Sequence, residues 1–352
     1  MNFNFENIDI KAIYTTTPKN EFNFSKLNEL YGEKEVAKVT KATGVNSVRI
    51  ADEKTTSSDL CEYAAKKMLE DIDVELEDID GLIFVSQTRD YQLPQTSNIL
   101  QHKLGLSTST VCFDLPLGCS GYINGLLQAA LLINSNSCKN ILVLAGDTTS
   151  RMVNNKDRAN RMVFGDAGSA TLLSKGTNSI GFTIYNDGKG FKDLIIPAGG
   201  YRTPSTIVTK KNQADEDGNI RSADDLFMNG MNVFNFAITK VPKLIKEIVT
   251  QSPFKELENV DGYYLHQANQ FMVGYLRKKM KLTEDEMPIE VDGYGNTGPS
   301  SIPLLITLLN QKKPKLANKK NSILCGFGVG LSWGACHTNL EKTQIFKTID
   351  YE

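Results

Sequence analysis

The chain has 352 residues, 40% of them hydrophobic and 23% charged, and a net charge of −2. That length buries a large core, in two domains or one duplicated unit, and the near-neutral charge gives no electrostatic case for nucleic acid or an anionic membrane. Six cysteines without CxxC or framework spacing, no leader-like start and no run near the roughly 20 apolar residues of a membrane span point to a soluble cytoplasmic protein with reduced thiols.

In chain order, residues 5–15 alternate enough for a first strand, and 24–43 carry helical spacing up to a turn at Thr43-Gly44-Val45. SSDLCEYAAKKMLED (57–71) reads as an amphipathic helix with a helix-start serine. GLIFVS (81–86) is a buried strand, 97–104 a helix, and VCFDL (111–115) a short buried strand. The turn Gly118-Cys119-Ser120-Gly121 follows, then an apolar, small-residue helix over 122–133. NILVLAG (140–146) is another buried strand, and VFGDAGSATLL (163–173) reads as a glycine-interrupted strand pair. Strands without alternation, separated by helices, imply an α/β fold with a mostly parallel sheet covered on both faces.

After about Lys175 the pattern begins again. LEDIDGLIF (76–84) is echoed by LENVDGYYL (257–265) at an offset of 181, and NILVLAG by SILCGFG (322–328) at an offset of 182. Between them, DLPLGCSGYINGLLQAALL faces DGYGNTGPSSIPLLITLL at an offset of 178. Three echoes in one order, at half the chain length, indicate duplication into halves 1–175 and 176–352. Two stretches do not repeat: a polar loop or lid at 201–225 and a basic, solvated connector at 311–320.

Cys119 sits where a strand hands over to a helix N-terminus. Unpaired N–H groups and the helix dipole favour a thiolate there, which makes it a candidate nucleophile. The plain alternative is a small buried cysteine. If the halves are equivalent, the partner of the Cys119 turn is Gly295-Asn296-Thr297-Gly298, which brings a carboxamide beside the sulfur. Of the three histidines, His102 lies in a surface-looking helix and His337 in a late strand. His266, in YYLHQAN, stands at a strand C-terminal end before a helix over 268–280, where open α/β sheets place their sites. Cys, His and Asn together suit acyl transfer through a thioester, with N–H donors on a second thioester carbonyl as it becomes an enolate. A cysteine protease uses the same residue types. The cysteines and histidines lack metal-ligand spacing, so no metal is expected.

GCSGY (118–122), HQAN (266–269) and GNT (295–297) resemble the three active-site motifs of β-ketoacyl-acyl carrier protein synthase III, in the thiolase superfamily. VFGDAGSA (163–170), MNGMNVFNFA (228–237) and GFGVGLSWG (326–334) match structural signatures of that family, and the resemblance runs from about residue 8 to 340. It implies a thiolase-like fold of duplicated βαβαβαββ halves layered αβαβα, in a homodimer. It also implies the roles. Cys119 is acylated; His266 and Asn296 bind the malonyl thioester carbonyl and promote decarboxylation; the backbone N–H groups of Cys119 and Val329 form the oxyanion hole. Leu93 falls where family members limit the acyl pocket, usually from the dimer partner, and Phe164 reads as packing. The substrates are acyl and malonyl thioesters on an acyl carrier protein or CoA, with no cofactor. Lys38 replaces the family's adenine-stacking tryptophan and Ala42 its neighbouring arginine, while Arg158 still matches. Losing that aromatic contact points towards a carrier-bound acyl donor, with Arg277 and Lys278 as candidate contacts for an acidic carrier protein. The alternatives are transfer of the Cys-bound acyl group to an alcohol or amine without condensation, and a non-catalytic partner subunit.

Overall fold

Strands that are apolar on both faces need covering on both faces, and this chain provides it with two sheets and three layers of helix. The computed structural model describes residues 1–352. The first sheet runs, in order, Gln344–Ile345, Ile8–Pro18, Ala167–Lys175, Asn140–Asp147, Gly81–Val85 and Val111–Leu115. The second runs Asn2–Phe5, Ile180–Asn186, Ser332–Thr338, Ser322–Gly328 and Gly262–Leu265. Ile8–Pro18, Ala167–Lys175, Asn140–Asp147 and Gly81–Val85 pair antiparallel, antiparallel, then parallel. Ile180–Asn186, Ser332–Thr338, Ser322–Gly328 and Gly262–Leu265 repeat that pattern. The two strand echoes read from the sequence therefore fall on topologically matching strands.

The chain ends cross between the sheets. Asn2–Phe5 pairs with Ile180–Asn186, while Gln344–Ile345 and Ile349–Tyr351 pair with Ile8–Pro18. Residues 5–15 are thus not one strand, because Asn7 takes a left-handed φ of 61° and divides two strands of different sheets.

Between the sheets lie the helices Gly121–Asn134 and Ser301–Lys312. Tyr122, Ile123 and Leu126 of one and Ile302, Leu305 and Ile306 of the other share a core with Ile83 and Val143 of the first sheet and Leu324 and Cys336 of the second. An apolar helix with no polar face is what a central layer requires. On the outer faces, Ser57–Asp71 and Thr96–Lys103 cover the first sheet, and Gly230–Gln251 and Gln270–Met280 the second. Thr56 and Asp59 form a reciprocal capping box that starts the Ser57 helix. The layering is αβαβα.

Four further expectations need correction. Residues 24–43 form a 3-10 turn at Phe24–Leu27, a short helix, and then Glu33–Thr43 after a break at Gly32. Val111–Leu115 is not buried; it is an edge strand, paired only with Gly81–Val85, and Val111 is 44% exposed. The 163–173 segment is a single strand from Ala167, since Phe164 leaves the sheet to bridge to Asn296. The helix expected from residue 268 begins at Gln270, capped by the Asn269 side chain. The 201–225 loop holds a small hairpin, Gln213–Ala214 with Ile220–Arg221. It is clamped by Arg221 on buried Asp157 at 2.8 Å. No helix is long and apolar enough to cross a membrane.

The second sheet meets the start of the Gly121 helix backbone to backbone: a Cβ on Gly326 would lie 2.6 Å from the Cys119 carbonyl oxygen and 2.9 Å from the Ser120 Cα. Neither neighbour is a flexible side chain, so Gly326→Ala is expected to destabilise the fold by about 1–3 kcal/mol, as overpacking does. Urea unfolding of the variant beside the parent measures this.

Candidate active site

Cys119 lies within the turn before the Gly121–Asn134 helix, which Gly121 N–H closes by donating to the Gly118 carbonyl at 2.6 Å. It is buried, and a Cβ on Gly328 would sit 3.1 Å from its sulfur, so the second sheet roofs the thiol closely. Val329 lies in the turn after that strand, with its backbone near enough to the sulfur to lower the thiol's pKa. This is the place expected for a backbone oxyanion donor.

Asn296 is held by both halves of the molecule. Its N–H donates to the Val163 carbonyl at 2.8 Å, and its carbonyl accepts from Gly165 N–H at 3.1 Å. The approach requires glycines, since a Cβ on Gly295 would meet the Val163 oxygen at 2.4 Å and one on Gly165 the Tyr294 oxygen at 2.1 Å. Gly298 N–H donates to Asn296 Oδ1 at 3.0 Å, which fixes the amide flip and leaves the NH2 free on the Cys119 side, where the amide works to lower the thiol's pKa.

His266 follows the strand Gly262–Leu265 and is buried. Its N–H donates to the Cys325 carbonyl at 2.8 Å, its ring packs edge-on against Phe327, and its Nδ1 lies 2.6 Å from Ser301 Oγ. Ser301 opens the central helix of the second half, and no motif in the sequence singled it out.

Burial decides the protonation states. It pushes the Cys119 thiol up to about 12, with the Asp147 carboxylate adding to the effect; the Cys119 and Val329 backbones and the Asn296 amide pull the other way. Desolvation of a charge in this dry turn opposes the thiolate that the helix N-terminus favours. Burial also lowers His266 to about 3, so its imidazole is neutral near pH 7.

Cys119, His266 and Asn296 line one cavity of about 340 Å³, otherwise walled mostly by apolar side chains, with Asn269 the other polar one, and opening past Met231 and Phe271. A second cavity, about 210 Å³, meets the first at Cys119, Phe164 and Leu194. Phe164, expected as packing alone, is buried and lines both. The structure brings the other expected residues less close. Leu93 is 78% exposed on the loop after Gly81–Val85 and lines neither cavity of its own chain, so it bounds an acyl pocket only if it reaches a second copy. Arg158 is turned to Glu35 at 3.3 Å and to the Asp217 carbonyl. Arg277 pairs with Glu284 at 2.8 Å in a separate polar pocket, and Lys278 is exposed and unpaired.

Comparison with known proteins gives one consistent picture. The family description "3-Oxoacyl-[acyl-carrier-protein (ACP)] synthase III" matches residues 113–188, and its C-terminal counterpart matches residues 255–340. The chain is 33% identical to the beta-ketoacyl-[acyl-carrier-protein] synthase III of Caldanaerobacter subterraneus, over 84% of this chain and 87% of that one. It is 31% identical to the Fusobacterium nucleatum protein of the same name, over 94% and 98%. The crystal structure of a 3-oxoacyl-(acyl-carrier protein) synthase from Burkholderia xenovorans superposes with a TM-score of 0.92 at 36% identity, covering 100% of this chain and 99% of that one.

A thiol held near 12 exposes little thiolate at neutral pH. Iodoacetamide alkylation of Cys119, followed by mass spectrometry, is therefore expected to rise about tenfold per pH unit from about pH 7 to 9 without a plateau. A plateau below pH 8 would show that the helix N-terminus wins after all. For His266, folded well below its ordinary 6.5, the ring NMR signals are expected to stay at their neutral positions from about pH 8 down to 5.

Proposed function

This chain belongs to the 3-oxoacyl-[acyl-carrier-protein] synthase III family and is a condensing enzyme of that type, and from that premise we propose which residues run its reaction. The observation that carries the reading is the convergence of Cys119, His266 and Asn296 on one apolar cavity.

The Cys119 sulfur attacks the carbonyl of an incoming acyl thioester, and the donor's C–S bond breaks to release its thiol. The tetrahedral oxyanion is met by the Cys119 and Val329 backbone N–H groups. A malonyl thioester then enters with its carbonyl oxygen against His266 and Asn296. Its C–C bond breaks, CO2 leaves, and the electron pair forms an enolate stabilised by the Asn296 NH2 and the imidazole Nε2–H. That tautomer follows if Ser301 O–H donates to Nδ1. Neutral donors suit this step, because an enolate in a dry site is stabilised by oriented dipoles. The carbanion attacks the acyl-Cys119 carbonyl, the sulfur departs, and a 3-oxoacyl thioester is released. We read the substrates as acyl thioesters and malonyl-acyl carrier protein, with no cofactor, in a cytoplasmic enzyme built of halves 1–175 and 176–352. Exposed Lys38, Lys41 and Lys278 lie on the packed helices Glu33–Thr43 and Gln270–Met280 and suit an acidic carrier. Transfer to an alcohol or amine without condensation has no observation in its favour.

We also read the enzyme as a homodimer. The unpaired edge of Val111–Leu115 and exposed Tyr91, Leu93, Tyr201 and Ile207 on its loops support that reading. Sedimentation is expected to give twice the chain mass.

Intact-protein mass spectrometry with acyl-CoA and acyl-carrier thioesters is expected to show an adduct on the parent and none on Cys119→Ala. His266→Ala and Asn296→Ala should still acylate while releasing no CO2 from malonyl-carrier protein. Ser301→Ala should slow decarboxylation about fivefold, the worth of one buried hydrogen bond of about 1 kcal/mol, and leave acylation intact. Acyl transfer without CO2 release by the parent would sink the condensation reading.

A further inference from the structure

The cavity beyond Cys119 has two unlike walls. One is apolar: Met152, Phe164, Leu194, Ile195, Ile196 and Leu226. The other is formed by Asp147, Thr149 and Gln87.

Asp147 ends the strand Asn140–Asp147 and is 2% exposed. Its Oδ1 is saturated, accepting from Ser86 Oγ at 2.8 Å, Thr88 Oγ1 at 2.9 Å, and the backbone N–H groups of Gln87 at 2.8 Å and Thr88 at 3.0 Å. Its Oδ2 and the hydroxyl of the buried residue Thr149 have no protein partner and keep surface open to the cavity, and the side-chain amide of the exposed Gln87 at the rim has none either. Gly298 leaves the room, since a Cβ there would lie 3.0 Å from Oδ2.

Buried polar groups in folded proteins are nearly always paired, and an acceptor left without a donor costs about 1–3 kcal/mol, more when charged. A purely hydrocarbon chain would seal Oδ2 and the Thr149 hydroxyl away from any partner. A chain with a hydroxyl supplies the donor to Oδ2 and can share a second hydrogen bond with Thr149. An ammonium would also donate, but it would first have to shed the hydration of a full charge.

We propose that this cavity takes an acyl group carrying a hydroxyl that donates to Asp147 Oδ2, with Asp147 and Thr149 as specificity-determining residues of the acylation step. The inference rests on the reading of Cys119 as the acylated nucleophile.

The test follows the mass of the Cys119 adduct on the full chain, given equal amounts of butyryl, 3-hydroxybutyryl, 3-oxobutyryl and 3-aminobutyryl thioesters of CoA and of acyl carrier protein. The 3-hydroxybutyryl adduct is expected to form at least about tenfold faster than the butyryl one, the scale of a hydrogen bond to a charged, buried acceptor. Asp147→Asn keeps an acceptor for the four donors and turns an N–H towards the cavity. It is expected to reverse the preference, favouring the 3-oxobutyryl group. Thr149→Val, of similar shape, should lower the hydroxybutyryl preference severalfold. Butyryl loading as fast as hydroxybutyryl, aminobutyryl loading faster than it, or a preference unchanged in both variants would each overturn the proposal while leaving the nucleophile standing. If no thioester acylated Cys119, the nucleophile reading would fall and this inference with it.

Discussion

The close approach of the second sheet to the Cys119 turn is the constraint on which the site depends. Two buried helices, Gly121–Asn134 and Ser301–Lys312, lie side by side between the sheets and start near the same place. Side chains at Gly326 or Gly328 would push the strand Ser322–Gly328 off that turn, with 2.6 Å and 2.9 Å separating hypothetical Cβ atoms from Cys119. Because they are absent, the turn at Val329 lines the same cavity as Cys119. The same economy of side chains at Gly165 and Gly295 lets Asn296 exchange backbone hydrogen bonds with Val163 and Gly165. The carboxamide is thereby fixed from two sides, and no rotation is needed to present its NH2.

Burial that dense also sets the electrostatics. His266, lowered to about 3 by burial, binds a proton less readily folded than unfolded, where the ordinary value is 6.5. Between those values the unfolded chain holds more protons, so acidification through that range works against the fold. Asp147 runs the other way. Burial, opposed by hydrogen bonds from Ser86, Thr88 and Gln87, raises its carboxyl to about 6, so the native state gains relative stability as pH falls from about 6 towards the ordinary carboxylate range. A neutral imidazole, a carboxamide and backbone N–H groups remain as the donors of the site. In a medium that screens poorly, such fixed dipoles act strongly on developing charge without binding a resting anion.

Sequence by itself determined the class of fold and the two strand echoes, and it singled out Cys119, His266 and Asn296 as candidates, which the fold brings to one cavity. It did so because apolar runs, glycine turns and a strand-to-helix handover are local properties of the chain. The bounds of the helix Ser57–Asp71 were legible for the same reason, from its apolar spacing and local start signal, although the cap is Thr56 and not the serine. Only the tertiary structure decided the rest. Whether Val111–Leu115 is central or an edge depends on which strands lie beside it, and its apolar composition is the same in either place. The Ser301 contact to His266 and the half-satisfied carboxylate of Asp147 join residues 35 and about 60 positions apart from their partners, with nothing local to mark them beyond a lone acid at the end of an apolar strand. The protonation of Cys119 has a part that only the tertiary structure supplies. A helix N-terminus is visible in sequence, but the desolvation that opposes it comes from a roof laid down by the other half of the chain, and how tightly that roof closes is settled only by packing.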